Sequence, residues 1–153
     1  PVQLRLDQPD LHPMTFAPLV AIIENLQPAE IVCLRHPDLP VVYSGGQFDD
    51  AASLVLAQLC SGRRAVAIVD ADLGGVRIAQ RVLAAVPHAE IVDVGEWPHT
   101  RGERISADGL AAAHLERLVE DPAVGSFAAA VRQRGYRVEQ EQSTLAIVES
   151  LLG

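Results

Sequence analysis

The chain has 153 residues, 49% of them apolar, which is enough for one buried core and too little for two, so a single domain over 1–153 is expected. A formal charge of −8 argues against strong nonspecific binding to nucleic acid, because that affinity comes from cations that neutralise phosphates. All twelve basic residues are arginine, and the missing lysine excludes a Walker phosphate loop and a Schiff-base nucleophile.

In chain order, the sequence starts at Pro1 rather than at a methionine and is read as the carboxyl-terminal piece of a longer protein. Residues 19–23 (LVAII) form a continuous β-branched apolar run ending in Glu24 and Asn25, the pattern of a strand buried on both faces. Val41 to Tyr43 is a second short strand, closed by Ser44-Gly45-Gly46. From Asp49 to Leu59, Ala52, Val55, Leu56 and Leu59 share one helical face, and Asp49 and Asp50 lie at its positive amino end. Ala65 to Val69 is a third strand, and Val76, Ala79, Val82, Leu83 and Val86 make the apolar stripe of the next helix. Ala89 to Val94 is a fourth strand, followed by one long polar loop, Glu96 to Arg104.

The second half changes character. Ser106 to Val119 is rich in alanine and leucine. Asp121-Pro122 reads as an N-cap with proline at the first helical position, opening a helix that Gly135 stops. A last helix is expected over about 139–152, with Leu145, Val148 and Leu152 on its apolar face. Short links between alternating strands and helices predict an α/β, Rossmann-like domain, with about four mainly parallel strands and a helical carboxyl-terminal part. No apolar run reaches the roughly 18 residues of a membrane span, and no basic leader precedes one, so a cytoplasmic protein without membrane contact is expected. Cys33 and Cys60 fit no C-x-x-C spacing and read as reduced, packed thiols.

The chemistry is carried by acids. In an open parallel sheet the binding crevice lies beyond the carboxyl ends of the strands, where strand order reverses. With strand order 2-1-3-4, Glu24 at the end of the first strand would meet Asp70 and Asp72 at the end of the third, with Asn25 alongside. The D-x-D reads equally as a helix cap with its turn or as half of a metal site. Glutamate is a poor turn former, so Glu24 after a buried strand points to function. Clustered carboxylates raise one another's pKa, and oxygen-only ligands suit Mg²⁺ or Mn²⁺. Gly74 and Gly75 allow a phosphate to approach the following helix. Arg77 and Arg81 lie four apart on its polar face, as solvated surface or as a phosphate contact, and His99, Arg101 and Arg104 belong to the long loop. His12, His36, His88 and His114 suggest only surface or packing roles.

Several stretches resemble the Toprim domain of primases, topoisomerases and some nucleases. The nearer likeness is to the carboxyl-terminal Toprim-like domain of the JetD family, the nuclease subunit of Wadjet anti-plasmid systems, itself similar to the topoisomerase VI A subunit. Ile23-Glu24-Asn25 stands where the family has E-N, and Tyr43-Ser44-Gly45-Gly46 lies near its glycine-rich turn. Val69-Asp70-Ala71-Asp72-Leu73-Gly74 to Ile78 lies near its G-D-x-D-x-x-G-x-x-I, and Val138-Glu139-Gln140-Glu141 is similar to its L-E-Q-E. Val69 replaces the glycine before the first aspartate, and Ile68 replaces the aromatic just upstream. Family members also carry an amino-terminal DNA-binding part, which is not seen in these residues.

The resemblance implies Mg²⁺- or Mn²⁺-dependent cleavage of DNA phosphodiesters. Asp70 and Asp72 would hold the ion, and Glu24 would be a further ligand or the group that manages a proton. Gly45, Gly46, Gly74, Arg77, His99 and Arg101 are the candidate phosphate or DNA contacts. Tyr43 and Tyr136 lie in no motif of a tyrosine nucleophile, so water is the expected attacking group. DNA, a second copy of the chain and a condensin-like ATPase complex are the partners so implied. A phosphoacceptor receiver domain gathers acids similarly but needs a lysine that this chain lacks. A noncatalytic module that binds metal or a partner remains the alternative.

Overall fold

A computed structural model describes residues 17–45, 49–97, 102–105, 109–139 and 143–153. Strand β1, Leu19–Ile23, is buried along its whole length, which follows from five consecutive apolar residues with no polar face to turn outward. It is the hub of a four-stranded, all-parallel sheet in the order β2-β1-β3-β4, with β2 at Val41–Tyr43, β3 at Arg64–Val69 and β4 at Glu90–Asp93. Ile23 pairs with Tyr43 on one side and with Ile68 on the other. Three neighbouring strands therefore end together.

Helices fill the crossovers. α1 (Leu26–Arg35) joins β1 to β2, α2 (Asp50–Cys60) joins β2 to β3, and α3 (Leu73–Ala85) joins β3 to β4. The chain leaves β1 in one direction across the sheet and leaves β3 in the other, so strand order reverses between these two neighbours. The expected α/β class, the parallel sheet and the 2-1-3-4 order are all present. α2 begins at the expected place because the Asp49 carboxylate accepts the Ala52 N–H at 2.7 Å.

Other boundaries differ from the sequence reading. α1 was not anticipated, although Ala29 and Val32 are buried at helical spacing and Pro28 sits in the first turn, where a missing N–H costs nothing. Val94, expected at the end of β4, starts a short 3₁₀ turn, Val94–Glu96, where the Asp93 side chain accepts the Gly95 N–H. The helix expected from Pro122 starts at Gly125 and is α5, Gly125–Arg134. The Asp121 carboxylate takes the N–H groups of Ala123 and Val124, at 2.8 and 3.2 Å, and holds a separate turn before the helix. The alanine- and leucine-rich segment contains α4, Leu110–Leu118.

A second, two-stranded antiparallel sheet was also missed. β5, Gly102–Arg104, lies within the stretch read as a loop, and β6, Tyr136–Val138, follows the Gly135 cap of α5. Each is three residues long, too short to show an alternating pattern. The last helix, α6, is Thr144–Leu152, starting later than expected. α6 packs on α1, while α3 packs on α2, α4 and α5.

The α2 register gives a stability test. Leu56 is fully buried, whereas Leu54 on the same helix is 73% exposed. Leu56→Ala should cost about 2–5 kcal/mol in denaturant unfolding, and Leu54→Ala about 0.5 kcal/mol or less. Equal losses would contradict this packing.

Candidate functional site

The site is assembled by the common end of β1 and β3. The ladder between them continues one residue further, where the Glu24 N–H donates to the Ile68 carbonyl at 3.2 Å. The Glu24 side chain then reaches across to β3, and its Oε2 accepts the backbone N–H of Asp70 at 2.9 Å. Asn25, the residue before α1, points its Nδ2 at Asp70 Oδ1 across a long 3.5 Å. Glu24, Asn25 and Asp70 thus meet although 45 and 46 residues separate the partners in sequence.

Asp72 is the N-cap of α3, and its Oδ1 accepts the Gly75 N–H at 2.9 Å. The cap role is therefore real for this residue, and one of its two oxygens is committed to the helix. Gly75 is required by close approach: a Cβ there would lie 1.9 Å from the Asp70 carbonyl oxygen. The first turn of α3 is thereby pressed against the end of β3.

Between the two aspartates, Ala71 is buried and forms an isolated antiparallel bridge with Val138 at the end of β6. The Ala71 N–H donates to the Val138 carbonyl at 2.8 Å, and the Val138 N–H donates back at 3.3 Å. This contact, invisible in the sequence, brings Val138-Glu139, the start of the V-E-Q-E stretch, onto the D-x-D. Gln140 and Glu141 lie outside the described residues.

Burial first, and then the negative charges of Asp70 and Asp72, raise the Glu24 carboxyl to about 7. The Asp70 N–H opposes them by bonding the charged form. Asp93, aligned with Val69 at the end of β4, is a fourth acid on this edge. It is occupied structurally: Arg134 donates to its Oδ2 at 2.6 Å and the Gly95 N–H to its Oδ1 at 2.9 Å.

The other expected residues divide. Gly45 forms the turn after β2 with φ +58°, a left-handed conformation in which an added Cβ would also meet the Tyr43 ring at 3.2 Å. Gly74 is exposed in the first turn of α3. Arg77, one turn further, is exposed, and its Nη2 lies 3.2 Å from His114 Nδ1, so its recorded contact is with α4 rather than with the acids. Arg81 is exposed on the same helix, and Arg104 lies in β5. Gly46, His99 and Arg101 lie outside the described residues. Ser44, which the sequence presents only as part of the turn after the second strand, is 4% exposed, and its N–H donates to the Ile23 carbonyl at 2.9 Å.

No family model matches the chain, and no curated protein matches it significantly. Its chemistry must be read from these residues.

The donors at the strand ends are all oxygens, which suits a hard divalent cation. Among the described residues, no three His, Cys, Asp or Glu side chains form a ready-made metal group.

Two outcomes test this geometry. Gly75→Ala should destabilise the chain by about 3 kcal/mol or more, because the obstacle is backbone. Gly74→Ala, whose Cβ meets only the Asp72 side chain at 3.1 Å, should cost about 1 kcal/mol or less. The second outcome concerns pH. A carboxyl raised in the folded state contributes stability below its unfolded pKa, and that contribution is lost as pH rises through about 7. Wild type should therefore lose more stability than Glu24→Gln between about pH 5 and about pH 8. Parallel losses would mean that Glu24 titrates normally.

Proposed function

We propose that this chain is a Toprim-like module that cleaves DNA phosphodiesters with Mg²⁺ or Mn²⁺, in a setting such as plasmid defence beside a condensin-like ATPase. The observation that carries the reading is the Glu24 carboxylate, half-buried, set on the Asp70 N–H and raised to about 7 by burial and by two neighbouring acids. Glu24 satisfies the Asp70 N–H, but a neutral acceptor would do so without adding a third acid beside Asp70 and Asp72. It is suited to a proton held near neutrality or to a cation.

Asp70 and Glu24 are the side chains that would hold the ion, with the remaining oxygen of Asp72 beside them. A bound ion would supply charge stabilisation at a phosphate and a more acidic water. Alternatively, where Glu24 is not itself a ligand, it would take or return a proton, since its carboxyl is raised to about 7. Asn25, through its amide, would orient the Asp70 carboxylate. Gly74 lies at the amino end of α3, where backbone dipoles favour a phosphate.

A second reading is a noncatalytic module that holds metal, or pairs with a second copy, while another subunit cuts. One observation favours it: Asp72 already spends an oxygen on the α3 cap.

Plasmid nicking with Mg²⁺ or Mn²⁺ is the decisive measurement. The catalytic reading predicts activity in wild type and a loss of at least about 100-fold in Glu24→Ala and in Asp70→Ala. Calorimetry with Mn²⁺ separates the two readings. Weakened binding in Asp70→Ala with no nicking by any form would support the noncatalytic module. Unchanged Mn²⁺ affinity in Asp70→Ala combined with Asp72→Ala would exclude the metal site in either reading.

A further inference from the structure

Glu24 is flanked on both sides at the carboxyl edge of the sheet. On the β3 side its Oε2 accepts the Asp70 N–H. On the β2 side stands Ser44. The β1–β2 ladder runs from Ala21–Val41 to Ile23–Tyr43, and the Ser44 N–H closes it on the Ile23 carbonyl at 2.9 Å. Glu24 and Ser44 are therefore the next residues of two parallel strands whose backbones are still joined. Residues at matching positions of parallel neighbours project to the same face, from strands about 4.8 Å apart. Ser44 is 4% exposed, yet its Oγ has no hydrogen-bond partner among the described residues. A buried hydroxyl in that state is unfavourable, and native chains keep few of them. Glu24, a carboxylate that could accept its proton, is bonded to Asp70 instead. Gly45, the next residue, is exposed in a tight turn with φ +58°, so the unbonded hydroxyl lies one residue from the surface.

We propose that the Ser44 hydroxyl is a substrate contact of this site, donating a hydrogen bond to a phosphate oxygen of DNA on the β2 side of Glu24. The inference rests on the phosphodiester reading above and adds to it a residue and a role. The aspartates lie on the other side of Glu24, Asp70 just past β3 and Asp72 at the start of α3. A cation held there leaves the β2 side to the substrate. An uncharged donor suits that place. A fixed positive charge would pair with Glu24 and oppose the cation, whereas a hydroxyl offers one N–H-like donor without charge. A phosphate oxygen is a charged acceptor and makes the stronger kind of hydrogen bond. Its arrival also removes the penalty that the free chain carries for the unbonded hydroxyl. Arg134 likewise keeps a buried nitrogen, Nη1, without a partner, but its Nη2 is already bonded to Asp93 at 2.6 Å. Ser44 has no second polar side-chain atom to bond.

The test uses the full chain and a short DNA duplex, with binding followed by fluorescence anisotropy in Ca²⁺ at several salt concentrations. Ser44→Ala should weaken binding about tenfold, the effect of one hydrogen bond to a charged group. The factor should be the same at each concentration, because a lost neutral donor changes no counterion release and leaves the slope of log affinity against log salt as it was. The thermal midpoint of Ser44→Ala should equal or exceed that of wild type, since a hydrogen replaces a hydroxyl that bonds nothing in the free chain. Mn²⁺ affinity should not change, because the cation is held on the other side of Glu24. Unchanged duplex affinity in Ser44→Ala, or a wild-type chain that binds no duplex, would overturn the proposal. So would weaker duplex binding accompanied by a lower thermal midpoint and weaker Mn²⁺ binding, since that is a structural role. Failure of the metal reading is seen separately, as Mn²⁺ affinity indifferent to Asp70→Ala.

Discussion

The pairing of β1 with β3 is the constraint on which the site depends. Five residues of each strand are matched from Leu19–Arg64 to Ile23–Ile68, and apart from Arg64 at the edge all are buried. A slip of one residue would turn every side chain to the opposite face and would separate the strand ends. Held in this register, Glu24 arrives beside the backbone of Asp70, and its carboxylate can close onto that N–H. The apolar core thus sets the distance between two charged groups that chain connectivity leaves far apart.

That placement has an electrostatic consequence. Three acids are brought to one edge, where burial and the charges of Asp70 and Asp72 act together on Glu24. The structure relieves the strain only in part. Asp72 is eased by the amino end of α3, where a negative charge is favoured, and Glu24 by one N–H donor. What remains is stored as the readiness of Glu24 to keep a proton near neutrality. Contrast the Arg64–Glu90 pair at the opposite edge, bidentate at 2.9 and 2.8 Å and open to solvent. There the charges are matched and the acid's pKa is lowered by its partner.

The features legible in the sequence were those with strong local signals. Apolar runs such as 19–23 and 65–69 carry their burial openly, and short links between strands and helices imply the parallel crossovers. Glu24 and the D-x-D could be assigned to strand ends for the same reason. What stayed hidden was long-range or brief. β5 and β6 are three residues each and exist through mutual pairing. The partner of Ala71 lies across the fold. Asp121 could be recognised as a cap, but whether its carboxylate begins a helix or a separate turn depends on the two N–H groups it captures. The dual nature of Asp72, cap and candidate ligand, is undecidable from spacing because both roles place an acid at the same point.

The Gly135 turn meters the site. α5 ends there with φ +69°, and only Tyr136 and Arg137 intervene before Val138 engages Ala71. Because residues alternate inward and outward along a strand, one residue inserted in this short span would bring Arg137 into the buried position and set Val138 outside. The helix terminus therefore acts as a ruler for the strand that overlies the acids. The interval from Gly135 to Val138 therefore admits no insertion if Ala71 is to keep its partner.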